Sequence, residues 1–142
     1  MNVRLVAALA VTVVLLVAGG VLWKGQHSQV GLPAEDAGPI VIVEVPNLTG
    51  EAREGEGLFQ ESCAACHGGN AEGRQGLGPP LIHKIYKPSH HGDGAFLLAA
   101  NRGVRAHHWT FGDMPPVAGV SGQDIGKIVK YVRTLQRANG IH

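Results

Sequence analysis

Two cysteines and the histidine beside them hold most of the chemistry this chain can do: Cys63-Ala64-Ala65-Cys66-His67. A disulfide closing so short a loop would restrict the unfolded chain little, which makes a staple a weak explanation. A redox-active C-x-x-C pair belongs where a strand opens a helix, and that context is missing. A structural zinc site needs four ligands, and the chain has no further cysteine to supply them. The spacing instead matches covalent attachment of a c-type haem. Two thiols one helical turn apart add to the vinyl groups on one edge of the porphyrin and become thioethers. The adjacent imidazole of His67 then reaches the iron as proximal ligand.

A second axial ligand is needed to complete a six-coordinate iron. Apart from the initiator, Met114 is the only methionine. It lies in Phe111-Gly112-Asp113-Met114-Pro115-Pro116, a turn-rich stretch stiffened by two prolines. A lone methionine is ordinarily core filler. This one sits outside any apolar helix face, and it is the expected thioether ligand.

These residues need elements to position them. Glu51 to Ser62 reads as a helix, with acidic residues early, where the macrodipole favours them, and Leu58 and Phe59 on its apolar side. A Gly/Pro-rich loop follows from Gly68 to Pro80. Ala95 to Arg102 reads as a short helix ended by Gly103. Ser121 to Arg137 is the clearest helix: Ser121 is the N-cap, Asp124 stands three residues on, and Ile125, Ile128, Val129, Val132 and Leu135 recur at helical spacing. Lys127, Lys130, Arg133 and Arg137 fall on the other side and read as a solvated face.

The beginning of the chain has a different character. Leu5 to Trp23 carries no charged side chain, and as a helix it is roughly 29 Å long, close to the ~30 Å hydrocarbon core. Its length exceeds a signal-peptide core, and Val17-Ala18-Gly19-Gly20 is a poor cleavage site, so residues 1–24 read as an uncleaved transmembrane anchor. Residues 25–50 read as a Pro/Gly-rich linker. Within it, the β-branched run Ile40 to Val45 reads as an extended segment lying against the domain rather than a strand. Residues 51–142 form the haem-binding domain. The net charge of +1 gives no reason to expect nucleic acid as a partner. With 21 glycines, 8 prolines and 5% aromatics, the domain has trouble building a core from side chains alone, and a planar cofactor would fill its middle.

With these features in place, residues from about Glu51 to Arg137 resemble a class I cytochrome c domain. Gly55 and Phe59 match the first helix of that family, and Ile128 and Tyr131 match the last helix, which crosses it. Gly78-Pro79-Pro80-Leu81 is similar to the family's G-P-x-L stretch. The resemblance implies that the Pro79 carbonyl accepts a hydrogen bond from His67, fixing the ring and raising its basicity. It implies an all-α domain around one covalent haem c, exchanging electrons at an exposed haem edge. It also implies export, because thioether attachment belongs to oxidising compartments.

The expected protein is therefore a single-pass component of the cytoplasmic membrane, with a monomeric haem domain on the periplasmic side. Arg4 and Lys24 flank the span too evenly to orient it, so this placement rests on the haem. Its expected role is electron carriage between membrane-bound redox proteins, as a carrier and not an enzyme. The rivals are a haem subunit of a larger oxidase or reductase, and a sensor or peroxidase-type enzyme with a labile sixth ligand. Tyr86 to Trp109 fits no pattern. It contains His90-His91 and His107-His108, with His83 nearby. Adjacent side chains on irregular backbone often diverge, so the expectation is surface or hydrogen-bonding histidines and no second metal site.

Overall fold

The computed structural model describes residues 38–142. The expected anchor, residues 1–24, and the first part of the expected linker lie outside the described residues. Among the described residues, no helix is long and apolar enough to cross a membrane.

The described residues form four α-helices in order: α1 Gly50–Ser62, α2 Ala64–His67, α3 Asp93–Arg102 and α4 Gly122–Ala138, with a 3-10 turn at Lys84–Tyr86 between α2 and α3. No strand forms among the described residues; the only ladder-like pairings are isolated bridges. The helix ends match the sequence reading closely, except that α3 begins two residues earlier, at Asp93, whose carboxylate favours a first turn.

α4 forms for the reasons its sequence suggests. Ser121 Oγ accepts from the Asp124 amide at 3.2 Å, and the Asp124 carboxylate accepts from the Ser121 amide at 3.2 Å, a reciprocal capping box. Its apolar stripe, Ile125, Ile128, Val129, Val132 and Leu135, is buried. α1 crosses it at Gly55. A Cβ at that position would lie 2.0 Å from the Lys127 carbonyl oxygen, so only a glycine permits the two backbones to touch. One turn further along α1, the Phe59 and Tyr131 rings meet at 5.3 Å between centroids, tilted by 56°. The Tyr131 hydroxyl donates to the Gly69 carbonyl at 2.9 Å, tying the loop after α2 to this crossing.

The segment before α1 is bonded to the domain. The Ile40 and Val41 amides both donate to the Glu72 carbonyl at 3.2 Å. Glu44 exchanges a pair of hydrogen bonds with the Asn139 side chain, at 2.9 and 2.8 Å. Val41 and Val43 pack against the core and Leu48 is buried in it, while Ile42, with the opposite phase, is exposed. This is the extended, docked conformation expected from the sequence.

One residue of α4 corrects the sequence reading. Arg133 is buried, not part of a solvated face. Its guanidinium donates to the Asp93 carboxylate at 2.8 Å, to the Tyr86 carbonyl at 2.6 Å and to the His91 carbonyl, and it lies over the Phe96 ring at 4.9 Å. Helical periodicity places position 133 next to the apolar stripe. The carbonyls of the 86–93 loop supply the acceptors that make a buried guanidinium tolerable there.

Candidate functional site

A cavity of about 400 Å³ opens between α1, α3, α4 and the loops that join them. All five residues singled out from the sequence line it: Cys63, Cys66, His67, Pro79 and Met114. Each arrives by a different local device. Cys63 caps the end of α1, its amide bonded to the Phe59 carbonyl at 2.8 Å, and the one-turn helix α2 then carries Cys66 and His67 round to the same wall.

The loop holding Pro79 is pressed against that turn. A Cβ at Gly78 would lie 2.6 Å from the Cys66 carbonyl oxygen, so glycine lets the loop approach the cysteine backbone directly. The result is a hydrogen bond of 2.8 Å between His67 Nδ1 and the Pro79 carbonyl. A carbonyl only accepts, so Nδ1 carries the hydrogen and the Nε2 lone pair is left for a metal. Burial lowers the His67 imidazole below its usual pKa, opposed in part by that hydrogen bond, and the neutral form prevails at neutral pH.

Met114 is held across the cavity by backbone. It pairs with Val104 through two amide-to-carbonyl bonds of 2.9 Å, just beyond the C-terminal end of α3. Its loop is further tied where the Asp113 carboxylate accepts from the Ala106 amide at 2.8 Å.

The thiols argue against a redox pair. Burial, and then the neighbouring Cys66, push the Cys63 thiol up to about 11. An attacking thiol in a C-x-x-C oxidoreductase is shifted the other way.

The residues present fit a haem. The donor set is two thiols, one imidazole with a free Nε2 and one thioether, in a cavity whose remaining wall is largely apolar. Five of the chain's seven aromatic side chains line it: Phe59, Tyr86, Phe96, Trp109 and Phe111. Trp109 Nε1 is buried there without a hydrogen-bond partner. Burial raises the pKa of the Tyr86 phenol, and the neighbouring Trp109 indole opposes that in part. The carboxylate groups that a haem carries would give this indole an acceptor.

The sequence reading missed the wall contributed by residues 86–111. Its signal was present in the aromatics. In a chain this poor in them, Tyr86, Phe96, Trp109 and Phe111 fall in one short stretch. The histidines of that stretch are exposed or hydrogen-bonded, as expected, but the two pairs do not diverge. His90, His91 and His108 bring ring nitrogens within 4.8 Å of one another, and the His107 ring lies beside them, 4.2 Å from that of His108 and tilted by 49°. The two pairs converge because the 86–93 and 104–114 loops meet at one edge of the cavity.

Among known proteins, the family model described as cytochrome c matches residues 52–136, more than half of the chain. No curated protein and no solved structure matches it.

Proposed function

Because this chain belongs to the cytochrome c family, we propose that it carries single electrons on one haem, attached through Cys63 and Cys66, with His67 and Met114 as axial ligands. The observation that carries this reading is the convergence of those four side chains on one apolar cavity, with the His67 Nδ1 already committed to Pro79. When bound, the haem supplies the one-electron couple of its iron.

The protein's residues do the rest. Cys63 and Cys66 prevent dissociation. Pro79 holds the His67 ring in one tautomer and one orientation. Met114 would supply the iron's other protein ligand, and a thioether there would raise the potential relative to a second imidazole. Phe96, Trp109 and the other apolar wall residues keep water away, so that electron transfer needs little rearrangement of solvent.

In this reading residues 1–24 anchor the chain in the cytoplasmic membrane and the domain, of class I type, works on its periplasmic side. Its donor and acceptor are membrane-bound redox proteins, and the domain is monomeric. The support is the uncharged run Leu5 to Trp23 and the exported setting that thioether attachment requires. The absorption spectrum of the oxidised protein tests the ligand set. A weak sulfur-to-iron band in the red is the expected result, and its absence would remove Met114 from the iron.

A second reading has one observation in its favour. His91, His107 and His108 line the same cavity as Met114. If one of them replaced the thioether, the protein would resemble a sensor or peroxidase-type enzyme more than a carrier. The same spectrum separates the two.

A further inference from the structure

We propose that His90, His91 and His108 form a binding site for a divalent, imidazole-preferring transition ion, Zn(II) or Cu(II), at the edge of the haem cavity.

The cluster is unusual for surface histidines. Four of the chain's eight histidines gather from two loops on either side of α3. Ring centroids lie 4.6 Å apart for His90 and His91, 5.5 Å for His90 and His108, and 5.3 Å for His91 and His108. One nitrogen of each ring lies within 4.8 Å of the others. Nitrogens bound tetrahedrally at about 2.0–2.1 Å from an ion stand about 3.4 Å apart, so small ring rotations close the site.

The tautomers suit this use. His91 Nδ1 lies 2.8 Å from both the Ile85 carbonyl and His90 Nδ1. The carbonyl has no hydrogen to give, so His91 Nδ1 carries it and the His91 Nε2 lone pair remains for a ligand; His90 Nδ1 then faces that hydrogen with its own lone pair and must turn from His91 to reach an ion. Likewise the His107 Nδ1 meets the Arg105 carbonyl at 2.9 Å. Metal-bound imidazoles are commonly held this way, through the ring nitrogen that does not bind the ion. His83, by contrast, spends its Nδ1 lone pair on the Ile85 amide at 3.3 Å and is not part of the cluster.

The ligand type selects the ion. No carboxylate joins the cluster, and the Asp93 side chain next to this loop is already engaged by Arg133 at 2.8 Å. Neutral imidazoles alone favour zinc and copper over magnesium or calcium. Three of them leave a fourth position for water or for His107. Both loops are braced, the first by Arg133 on the Tyr86 and His91 carbonyls, the second by Val104–Met114 and Asp113–Ala106.

The test uses the untagged holoprotein. Zinc is titrated against a chelating dye, and Cu(II) is followed by paramagnetic resonance, where nitrogen ligands split the copper signal. One ion per chain is expected, with splitting from several nitrogens. His90→Ala together with His108→Ala should weaken binding on the order of 100-fold or more, since even supporting partners of ligands are worth 10–100-fold. His90→Ala alone, at an exposed residue that does not line the haem cavity, should weaken it measurably while the haem spectrum stays unchanged. No stoichiometric binding, or equal affinity in the double variant, would overturn the site. These readouts do not depend on Met114, so the site and the electron-carrier reading fail separately.

Discussion

Val104 and Met114 exchange both backbone hydrogen bonds, each at 2.9 Å, so the position of Met114 is set by main chain rather than by the packing of its side chain. Gly103, which ends α3 with φ +74°, makes the approach possible: a Cβ there would lie 2.5 Å from the Met114 carbonyl oxygen. The thioether is therefore presented by a short clamp on the end of one helix.

Two substitutions should separate ligation from positioning. Met114→Ala is expected to leave the haem attached, abolish the red band, lower the midpoint potential and admit external ligands such as cyanide. Gly103→Ala keeps the thioether but forces a side chain onto a backbone conformation, φ +74° and ψ 179°, that essentially only glycine adopts, at a cost of roughly 1–3 kcal/mol, and a close contact on the clamp. A weakened red band at unchanged haem content is expected, and a spectrum like that of the wild type would show that the clamp does not position Met114.

Replacing Cys63 and Cys66 with serine together should abolish covalent haem, since no other cysteine exists. The check is extraction with acidified organic solvent. Haem that stays with the double variant would end the attachment argument.

The extended segment before α1 should contribute to stability. Leu48→Ala is expected to cost about 2–5 kcal/mol in denaturant unfolding, as for a fully buried leucine. Removing residues 1–24 with an export signal supplied should leave spectrum and potential unchanged. Removing residues 1–50 should lower the midpoint, because Leu48 and the Glu44–Asn139 pair go with it. In the first truncation, electron transfer to a membrane partner should become dependent on protein concentration. Rates independent of concentration would show that docking, and not an anchor, holds the pair together.

Arg133 and Asp93 should respond unequally. Arg133→Met leaves the His91 carbonyl without its donor and the Tyr86 carbonyl with Gln136 Nε2 alone, at 3.1 Å, and about 1–3 kcal/mol of destabilisation is expected. Asp93→Asn touches an exposed carboxylate, 70% accessible, and should cost less than about 1 kcal/mol. Similar losses from the two variants would mean that the ion pair, and not the bracing of the loop, is what matters.

Much of this protein was legible in its sequence because the deciding interactions are local. Cys63, Cys66 and His67 need only one helical turn to share a wall, and Ser121 and Asp124 cap α4 from within four residues. The apolar stripe of α4 follows from its periodicity alone. Only tertiary structure decided the environment of residues whose partners lie far along the chain. Arg133 looks like a solvated cation until residues 86–93, forty or more positions away, bring it a carboxylate and two carbonyls. Likewise, His90-His91 and His107-His108 sit on irregular backbone with no period to orient them. What brings them together is the bracing of two separate loops at one edge of the cavity, and nothing within either pair encodes it.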